Sequence, residues 1–211
     1  MSIITPQTTN WTAPKIEFFD KGILSKRVFI LISGKAGVGK TTFTEYLIRE
    51  FDNKIFSAIR RSIAGELKRF AREYFNWNGE KDLKGRALLQ GLGNLGREYD
   101  ENVWIRNLLN DIDDYNMFAD FVIIDDWRFP NECEYLKNNN QNVITVRILS
   151  KERRGLEGGL EEDLTETSLK DDDLIYDIRI HNDKSFEDLE KEAKLFIEYI
   201  LGGKNGNQNL E

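Results

Sequence analysis

The stretch ILISGKAGVGKTT, residues 30–42, joins a short apolar run to the phosphate-binding pattern GxxxxGK followed by Ser or Thr. The apolar run predicts a strand over 27–33 that is buried on both faces of a parallel sheet. Phe43, Leu47 and Phe51 then recur at helical spacing, so we expect a helix after the loop. The glycines let backbone N–H groups point at phosphate oxygens, and the helix adds its positive end. Residues 34–42 are therefore expected to form a P-loop.

Two side chains of this loop have specific expected roles. Lys40 is placed to reach the β- and γ-phosphates of a nucleotide, and the Thr41 hydroxyl is placed to ligate Mg²⁺. The residues expected to bind the phosphates are Gly34, Lys35, Ala36, Gly37, Val38, Gly39, Lys40, Thr41 and Thr42. An ordinary glycine-rich turn is the alternative, but the loop has the strand before it and the helix after it that the motif requires. The loop alone leaves the acceptor open, as water, a protein, a nucleotide or a metabolite.

Strand and helix patterns alternate along the rest of the chain. Short apolar runs predict further strands over 55–59, 121–124, 143–148 and 177–180. Apolar residues at helical spacing, Phe70 and Tyr74 among them, predict helices over 63–74, 88–95 and 103–112, and another begins after Ser185. This alternation predicts a three-layer α/β fold, a parallel sheet of about five strands with helices on both faces. Ligands of such folds bind at the carboxyl ends of the strands.

Composition narrows the class of protein. The 211 residues carry a net charge of −7, with one cysteine and one histidine, which argues against disulfides, His-based metal sites and Ser-His triads. The longest unbroken apolar run is residues 28–32, far short of the roughly 20 residues of a membrane span. Without a secretory signal pattern, the expected location is the cytoplasm, or the host cytoplasm if the protein is viral. We expect an extension over 1–26, one domain over 27–201 and a flexible tail over 202–211.

Charge is unevenly distributed along the chain. Residues 59–106 hold ten basic against seven acidic side chains, whereas residues 151–174 hold nine acidic against four basic ones. The basic middle suits a small anionic ligand, while the net negative charge argues against a general nucleic-acid coat. A solvated helix face is the expected position for each of Arg60, Arg61, Arg69, Arg72 and Arg106.

A second polar segment, IIDDWRFPNE, occupies residues 123–132. Asp125 and Asp126 follow a predicted strand and would lie beside the phosphate loop, where one of them would hold Mg²⁺ directly or through water. A solvated pair of strand-end carboxylates is the alternative. Arg128, two residues on, can fork onto a phosphate.

This segment resembles the D-x-R-x-x-N-E stretch of phage-type deoxynucleoside monophosphate kinases, a branch of the nucleoside monophosphate kinase-like P-loop proteins. Further motifs of that family have counterparts in the same order, namely SIAGELK (62–68), RALLQGLGNLGRE (86–98) with the downstream Trp104, TETSL (165–169) and IRIHNDKSFEDLE (178–190). The resemblance covers roughly residues 27–200. Ile63, Thr165 and Lys184 depart from it, since the family usually has Phe, Ser and Gly there.

The resemblance implies a P-loop kinase fold with an inserted helical acceptor region over about 60–115 and a lid over about 150–175. It implies that ATP, with Mg²⁺, phosphorylates a deoxynucleoside monophosphate. Arg97 and Arg128 are the first candidates for holding the acceptor phosphate, followed by Lys68 and Arg86. Gln90 is a candidate for contacting the acceptor base, with an ordinary helix-surface glutamine as the alternative.

Further implied roles fall on the lid and the end of the last strand. Arg153 and Arg154 are implied to swing onto the transferring phosphate on closure, with two surface arginines among acids as the alternative. Asn182 lies where family members shape the adenine pocket. The implied catalytic residues are Lys40, Asp126, Arg128, Arg153 and Arg154. A monophosphate is already an anionic nucleophile and needs no general base, which agrees with a chain that has a single histidine.

Two other functions stay open. A kinase of the same fold could act on a phosphorylated metabolite, dephospho-coenzyme A or a modified base within DNA, although a DNA acceptor predicts a continuous basic track and the acidic segment argues against one. A regulatory NTP-binding switch would need a water-orienting residue near the phosphates and no monophosphate pocket. The expected partners are small nucleotides, without a membrane or a nucleic acid, and a homodimer is compatible with the sequence.

Overall fold

A computed structural model describes residues 5–6, 18–19, 23–24, 26–114, 118–139, 141–151, 169 and 176–202. The strands are β1 (Thr5–Pro6), β2 (Phe18–Phe19), β3 (Ile23–Leu24), β4 (Val28–Ser33), β5 (Ala58–Arg61), β6 (Phe121–Ile124), β7 (Asn142–Leu149) and β8 (Ile178–His181). The described helices are α1 (Lys40–Asn53), α2 (Gly65–Phe75), α3 (Leu83–Tyr99), α4 (Val103–Asp114), α5 (Pro130–Asn138) and α6 (Phe186–Gly202).

Five parallel strands form the centre of the protein, in the order β8-β7-β4-β6-β5. Strand β4, which leads into the phosphate loop, lies in the middle, so the loop emerges between the ends of β6 and β7. The short β1 adds an antiparallel edge to β8, through Thr5 opposite Arg179. The predicted α/β fold with a parallel sheet of about five strands is confirmed, and the antiparallel edge strand is an addition that the sequence patterns did not predict.

Two apolar clusters, one on each face of the sheet, make the three layers. Because successive side chains of a strand point to opposite faces, Val28, Ile30 and Ile32 of β4 join one cluster while Phe29 and Leu31 join the other. Helices α1 and α6 cover the first face, and α4 and α5 contribute to the second. Helices α2 and α3 pack on each other and on α4. Residues 63 and 64, just before α2, bond to Asp126, which follows β6.

The second strand of the parallel sheet lies later in the chain than expected. The sequence predicted a strand over 55–59, whereas residues 54–56 continue the turn that ends α1, with the N–H groups of Lys54 and Phe56 donating to the Phe51 carbonyl oxygen. Strand β5 therefore begins at Ala58 and ends at Arg61. The expected helix-face position of Arg60 and Arg61 is wrong, because both lie on this strand.

Helix α2 also differs from its predicted apolar stripe. Leu67 and Ala71 are buried, but the rings of Phe70 and Tyr74 are exposed and lie 4.5 Å apart between centroids. These two rings are exposed because α2 packs on α3 and α4 rather than on the sheet. A narrow stripe of apolar residues on α2 is sufficient for that contact. None of the helices in the described ranges is long and apolar enough to cross a membrane.

Candidate active site

The phosphate loop begins after Ser33, the last residue of β4, and ends where α1 begins. Ile148 and Asn182 lie close to its backbone. Gly34 and Gly39 have φ angles of 153° and 96°, in a region that favours glycine. A Cβ at Gly34 would lie 2.6 Å from the Ile148 carbonyl oxygen, and one at Gly39 would lie 2.5 Å from Asn182 Nδ2. Gly34 therefore requires glycine for space as well as for conformation, whereas Gly39 requires it for its conformation.

Lys40 is the first residue of α1, and its ammonium lies against the loop. Its Nζ donates to the carbonyl oxygens of Gly34 at 2.7 Å and Lys35 at 2.8 Å. These bonds hold the positive charge inside the curve of the loop, where phosphate oxygens are expected. The predicted phosphate-binding role of Lys40 fits this position and stays a prediction.

Asn182 supports the loop from the other side. It follows β8, and its Nδ2 donates to the Val38 carbonyl oxygen at 2.9 Å. The resemblance implied a place near the adenine of the nucleotide. The hydrogen bond shows in addition that Asn182 fixes the middle of the loop to the end of the sheet.

The two strand-end carboxylates, Asp125 and Asp126, face different partners. Asp125 is buried, and its Oδ2 lies 3.5 Å from the Thr41 hydroxyl. Arg60 binds the same carboxylate with both ends of its guanidinium, from Nε to Oδ1 at 3.0 Å and from Nη2 to Oδ2 at 2.7 Å. Of the two aspartates, Asp125 is thus the one that lies beside Thr41.

Asp126 instead holds the segment that begins α2. Its carboxylate accepts hydrogen bonds from the Ile63 and Ala64 backbone N–H groups, at 2.9 and 3.1 Å, and from the Ser62 hydroxyl at 2.6 Å. Ile63 and Ala64 precede Gly65, the first residue of α2, so Asp126 holds the turn that leads into this helix. Asp126, a predicted catalytic residue and one of the two candidates for holding Mg²⁺, thus has three hydrogen-bond donors in the structure.

Lys68 completes this group. Its Nζ lies 3.4 Å from the Ser62 hydroxyl. Burial lowers the pKa of the Lys68 ammonium, and the nearby Asp126 carboxylate acts in the opposite direction. The cation is thus held at the start of α2, on the same side as the phosphate loop.

A cavity of about 510 Å³ joins the two groups. It is lined by Gly34, Ala36, Lys40, Thr41, Arg60, Arg61, Ser62, Lys68, Lys81, Asp125, Asp126, Trp127, Arg128, Arg147 and Leu169. Seven of these side chains are cationic and two are carboxylates, both of which already accept bonds from neighbouring groups. Such a cavity attracts ligands that carry several negative charges.

The structure brings some predicted acceptor residues to this cavity and leaves others outside its lining. Lys68 and Arg128 lie in the lining. Arg97 stacks on the Phe129 ring, 4.4 Å from its centroid, and donates to the Asn94 side chain at 2.7 Å. Arg86 donates to the Lys81 carbonyl oxygen, and Gln90 lies exposed on α3. Arg153 and Arg154, the predicted lid residues, lie outside the described residues.

Asn131 and Glu132, the last two residues of the D-x-R-x-x-N-E segment, hold the turn that contains Arg128. Glu132 is buried and accepts hydrogen bonds from the backbone N–H groups of Arg128 and Phe129, both at 3.1 Å. Burial raises the pKa of Glu132 to about 7, against the effect of these two donors. Asn131 donates to the Glu101 carbonyl oxygen and to the Asn102 side chain, which ties the turn to the start of α4.

Four cations of the cavity lining were not among the predicted site residues, namely Arg60, Arg61, Lys81 and Arg147. Arg147 is 3% exposed and lies on β7, with Nη1 donating to the Ser33 hydroxyl at 3.1 Å and Nη2 to the Leu169 carbonyl oxygen at 3.3 Å. A signal was present in the sequence, because an arginine interrupts the apolar run NVITVRIL. A buried cation in such a run requires polar partners or an anionic ligand.

Comparisons with known proteins give matches among solved structures alone. No protein-family profile matches the chain, and no curated protein matches its sequence. Similar solved structures include APS kinase from Mycobacterium tuberculosis in complex with AMPPNP and APS, 14% identical, with a TM-score of 0.46 over 82% of this chain and 98% of that one. A sugar kinase from Janibacter is 12% identical, with a TM-score of 0.42 over 85% of this chain and 99% of that one.

Proposed function

We propose that this protein transfers the γ-phosphoryl group of ATP to a deoxynucleoside monophosphate. The observation that carries the proposal is the continuous cavity in which phosphate-loop residues face a second set of cations at the ends of β5 and β6. Lys40 and the loop N–H groups are sufficient to hold one polyphosphate. The additional cations, Lys68, Lys81 and Arg128 among them, suit a second anionic substrate beside it.

The carboxylates of the cavity favour an acceptor that is itself a phosphate. A hydroxyl acceptor needs a base within hydrogen-bond reach, and a carboxylate is the usual one in phosphoryl transfer. In the described lining, Asp125 is paired with Arg60, and Asp126 accepts three hydrogen bonds. A monophosphate needs no such base, because its oxygens are already ionised. Catalysis then consists of positioning two phosphates and neutralising their charge.

Thr41 and Asp125 fit a magnesium ion by their chemistry. Both offer hard oxygen donors, and they lie on the two elements that meet at the carboxyl end of the sheet. Bound Mg²⁺ supplies charge neutralisation on the nucleotide phosphates. Lys40 orients the same phosphates, Asn182 holds the loop in shape, and Arg153 and Arg154 remain the proposed lid arginines by resemblance.

ADP release should respond to at least one of dTMP, dGMP, dCMP and dAMP and stay at its background rate with thymidine. The nucleoside lacks the phosphate for which the cations of the cavity are proposed. A coupled ADP assay over this panel, with the monophosphates and the free nucleoside at equal concentration, measures the difference.

Other outcomes of this assay assign the alternatives. Equal rates with thymidine and dTMP would contradict an acceptor-phosphate site. Response only to other phosphorylated metabolites or to dephospho-coenzyme A would keep the kinase and replace the acceptor. Slow ADP release that no acceptor stimulates would favour the regulatory switch.

Arg128→Lys should lower kcat/KM for the monophosphate at least about tenfold, with little change in the KM for ATP. Arg128 lines the cavity, and its guanidinium can fork onto a phosphate, whereas lysine supplies a point charge on a flexible stem. A lost hydrogen bond to a charged group is worth about 1.5–3 kcal/mol. Initial rates at varied monophosphate and fixed ATP measure this effect.

The control for this variant is Arg49→Lys, an exposed arginine of α1 that pairs with Glu190. It should leave both KM values unchanged. Unaltered acceptor kinetics with a lower melting temperature in Arg128→Lys would assign Arg128 to structure alone.

A further inference from the structure

Arg60 lies where the cation of a metal site would be expected. From β5 it engages both carboxylate oxygens of Asp125, at 3.0 and 2.7 Å. The same Nη2 lies 3.5 Å from the Thr41 hydroxyl, and that hydroxyl lies 3.5 Å from Asp125 Oδ2. Arg60, Thr41 and Asp125 thus form a closed cluster in which a guanidinium is the positive centre.

The Arg60 guanidinium and a divalent cation would compete for the oxygen atoms of Thr41 and Asp125. Both bind carboxylate oxygens, and two cations on the same oxygens repel each other. Asp125 is 5% exposed, so its charge needs a partner at all times. The Arg60 side chain is 44% exposed and can therefore leave Asp125 without opening the core.

We propose that Arg60 is a resident counter-ion of the magnesium site, which holds Asp125 and Thr41 until a divalent cation takes them over. This inference rests on the proposed function only in assigning Thr41 and Asp125 to that site. Arg60 is then a positioning residue that sets metal affinity. The protein without nucleotide binds metal weakly, and ATP favours metal entry because its phosphates attract both the metal and the released guanidinium.

The test is metal binding by the full chain without nucleotide, with Mn²⁺ as a paramagnetic probe of the magnesium site. Arg60→Ala should bind Mn²⁺ at least about tenfold more tightly than the unmodified protein, or about 1.4 kcal/mol. Free Mn²⁺ is measured by electron paramagnetic resonance during titration. Mg²⁺ should also raise the melting temperature of Arg60→Ala more than that of the unmodified protein.

Arg60→Lys is the second variant, and it keeps the positive charge. Lysine cannot engage both oxygens of Asp125 in a fork, so its Mn²⁺ affinity should lie between those of the unmodified protein and Arg60→Ala. If Arg60→Ala does not fold, the Mn²⁺ affinity of Arg60→Lys tests the proposal. An affinity equal to that of the unmodified protein in both variants would overturn the proposal.

Arg61→Ala is the matched control, because it removes the same charge from the next residue of β5 in the same cavity. In the unmodified protein, Arg61 Nη1 donates to the Arg60 carbonyl oxygen at 2.9 Å. If Arg61→Ala and Arg60→Ala raised the Mn²⁺ affinity equally, the cause would be the general loss of positive charge. That result would overturn the proposed competition between Arg60 and the metal. Adding Asp125→Asn to Arg60→Ala should abolish the gain, and a gain that persists would place the metal elsewhere.

The titration contains neither ATP nor an acceptor, so its result is separate from the ADP assay. A gain in Arg60→Ala supports the competition at Asp125 even if no monophosphate is phosphorylated. An active monophosphate kinase whose Arg60 variants bind Mn²⁺ like the unmodified protein would retain the proposed function and lose this inference.

Discussion

Lys40→Ala should lower kcat at least about a hundredfold while the protein stays folded, since removing one preorganised donor to transition-state charge costs about 10²–10³ in rate. The Lys40 ammonium lies inside the curve of the loop, on the carbonyl oxygens of Gly34 and Lys35. Alanine is a good residue for the start of α1, so the helix should persist. Rates of ADP release at saturating substrates and urea unfolding measure the two quantities.

Lys54→Ala is the matched control for this prediction. Lys54 is exposed and follows α1 at its other end, so both variants remove one lysine from the ends of the same helix. Turnover by Lys54→Ala should equal that of the unmodified protein. Near-normal turnover by Lys40→Ala would contradict the assignment of residues 34–42 as a nucleotide-binding loop.

Asp126→Ala should reduce the free energy of unfolding by about 2–4 kcal/mol, because hydrogen bonds to a charged group contribute about 1.5–3 kcal/mol. The change leaves the N–H groups of Ile63 and Ala64 without their acceptor at the start of α2. It also releases Ser62, which lies next to Lys68 in the cavity. The monophosphate KM should therefore rise, and urea unfolding together with acceptor kinetics measure both effects.

Asp125→Ala distinguishes the two carboxylates in the same experiment. Asp125 lies beside Thr41, so this variant should require much more Mg²⁺ for activity. Asp126→Ala should keep the Mg²⁺ requirement of the unmodified protein. The reverse result, a stable Asp126→Ala variant with an altered Mg²⁺ requirement, would make Asp126 the metal ligand.

Features encoded in contiguous residues were predicted well. The run from β4 through the loop to α1 carries its own apolar pattern, its glycines and its Lys-Thr pair, and all of them lie within a short stretch. Strand β6 was likewise predicted from the short apolar run over 121–124. Alternating patterns of this kind predicted the three layers, because each pattern specifies which side of an element must be buried.

Positions that depend on where an element begins were predicted less well. Strand β5 starts three residues later than expected because the turn after α1 uses residues 54–56 for its own hydrogen bonds. This shift moved Arg60 and Arg61 from an expected helix face to a strand end beside Asp125. Phe70 and Tyr74 are exposed for a related reason, since α2 does not pack on the sheet.

The sequence by itself determined the phosphate loop, the parallel sheet around it and an excess of cations nearby. Each of these features depends on adjacent residues or on the local spacing of apolar residues. Only the tertiary structure decided which cations line the cavity and what each aspartate binds. Asp125 and Asp126 are neighbours in the chain, yet one contacts Thr41 and Arg60 while the other accepts hydrogen bonds from residues 62–64. Successive side chains at a strand end point in opposite directions, and their partners come from segments some sixty or more residues away. That pairing follows from the packing of β4, β5 and β6, which no local pattern specifies.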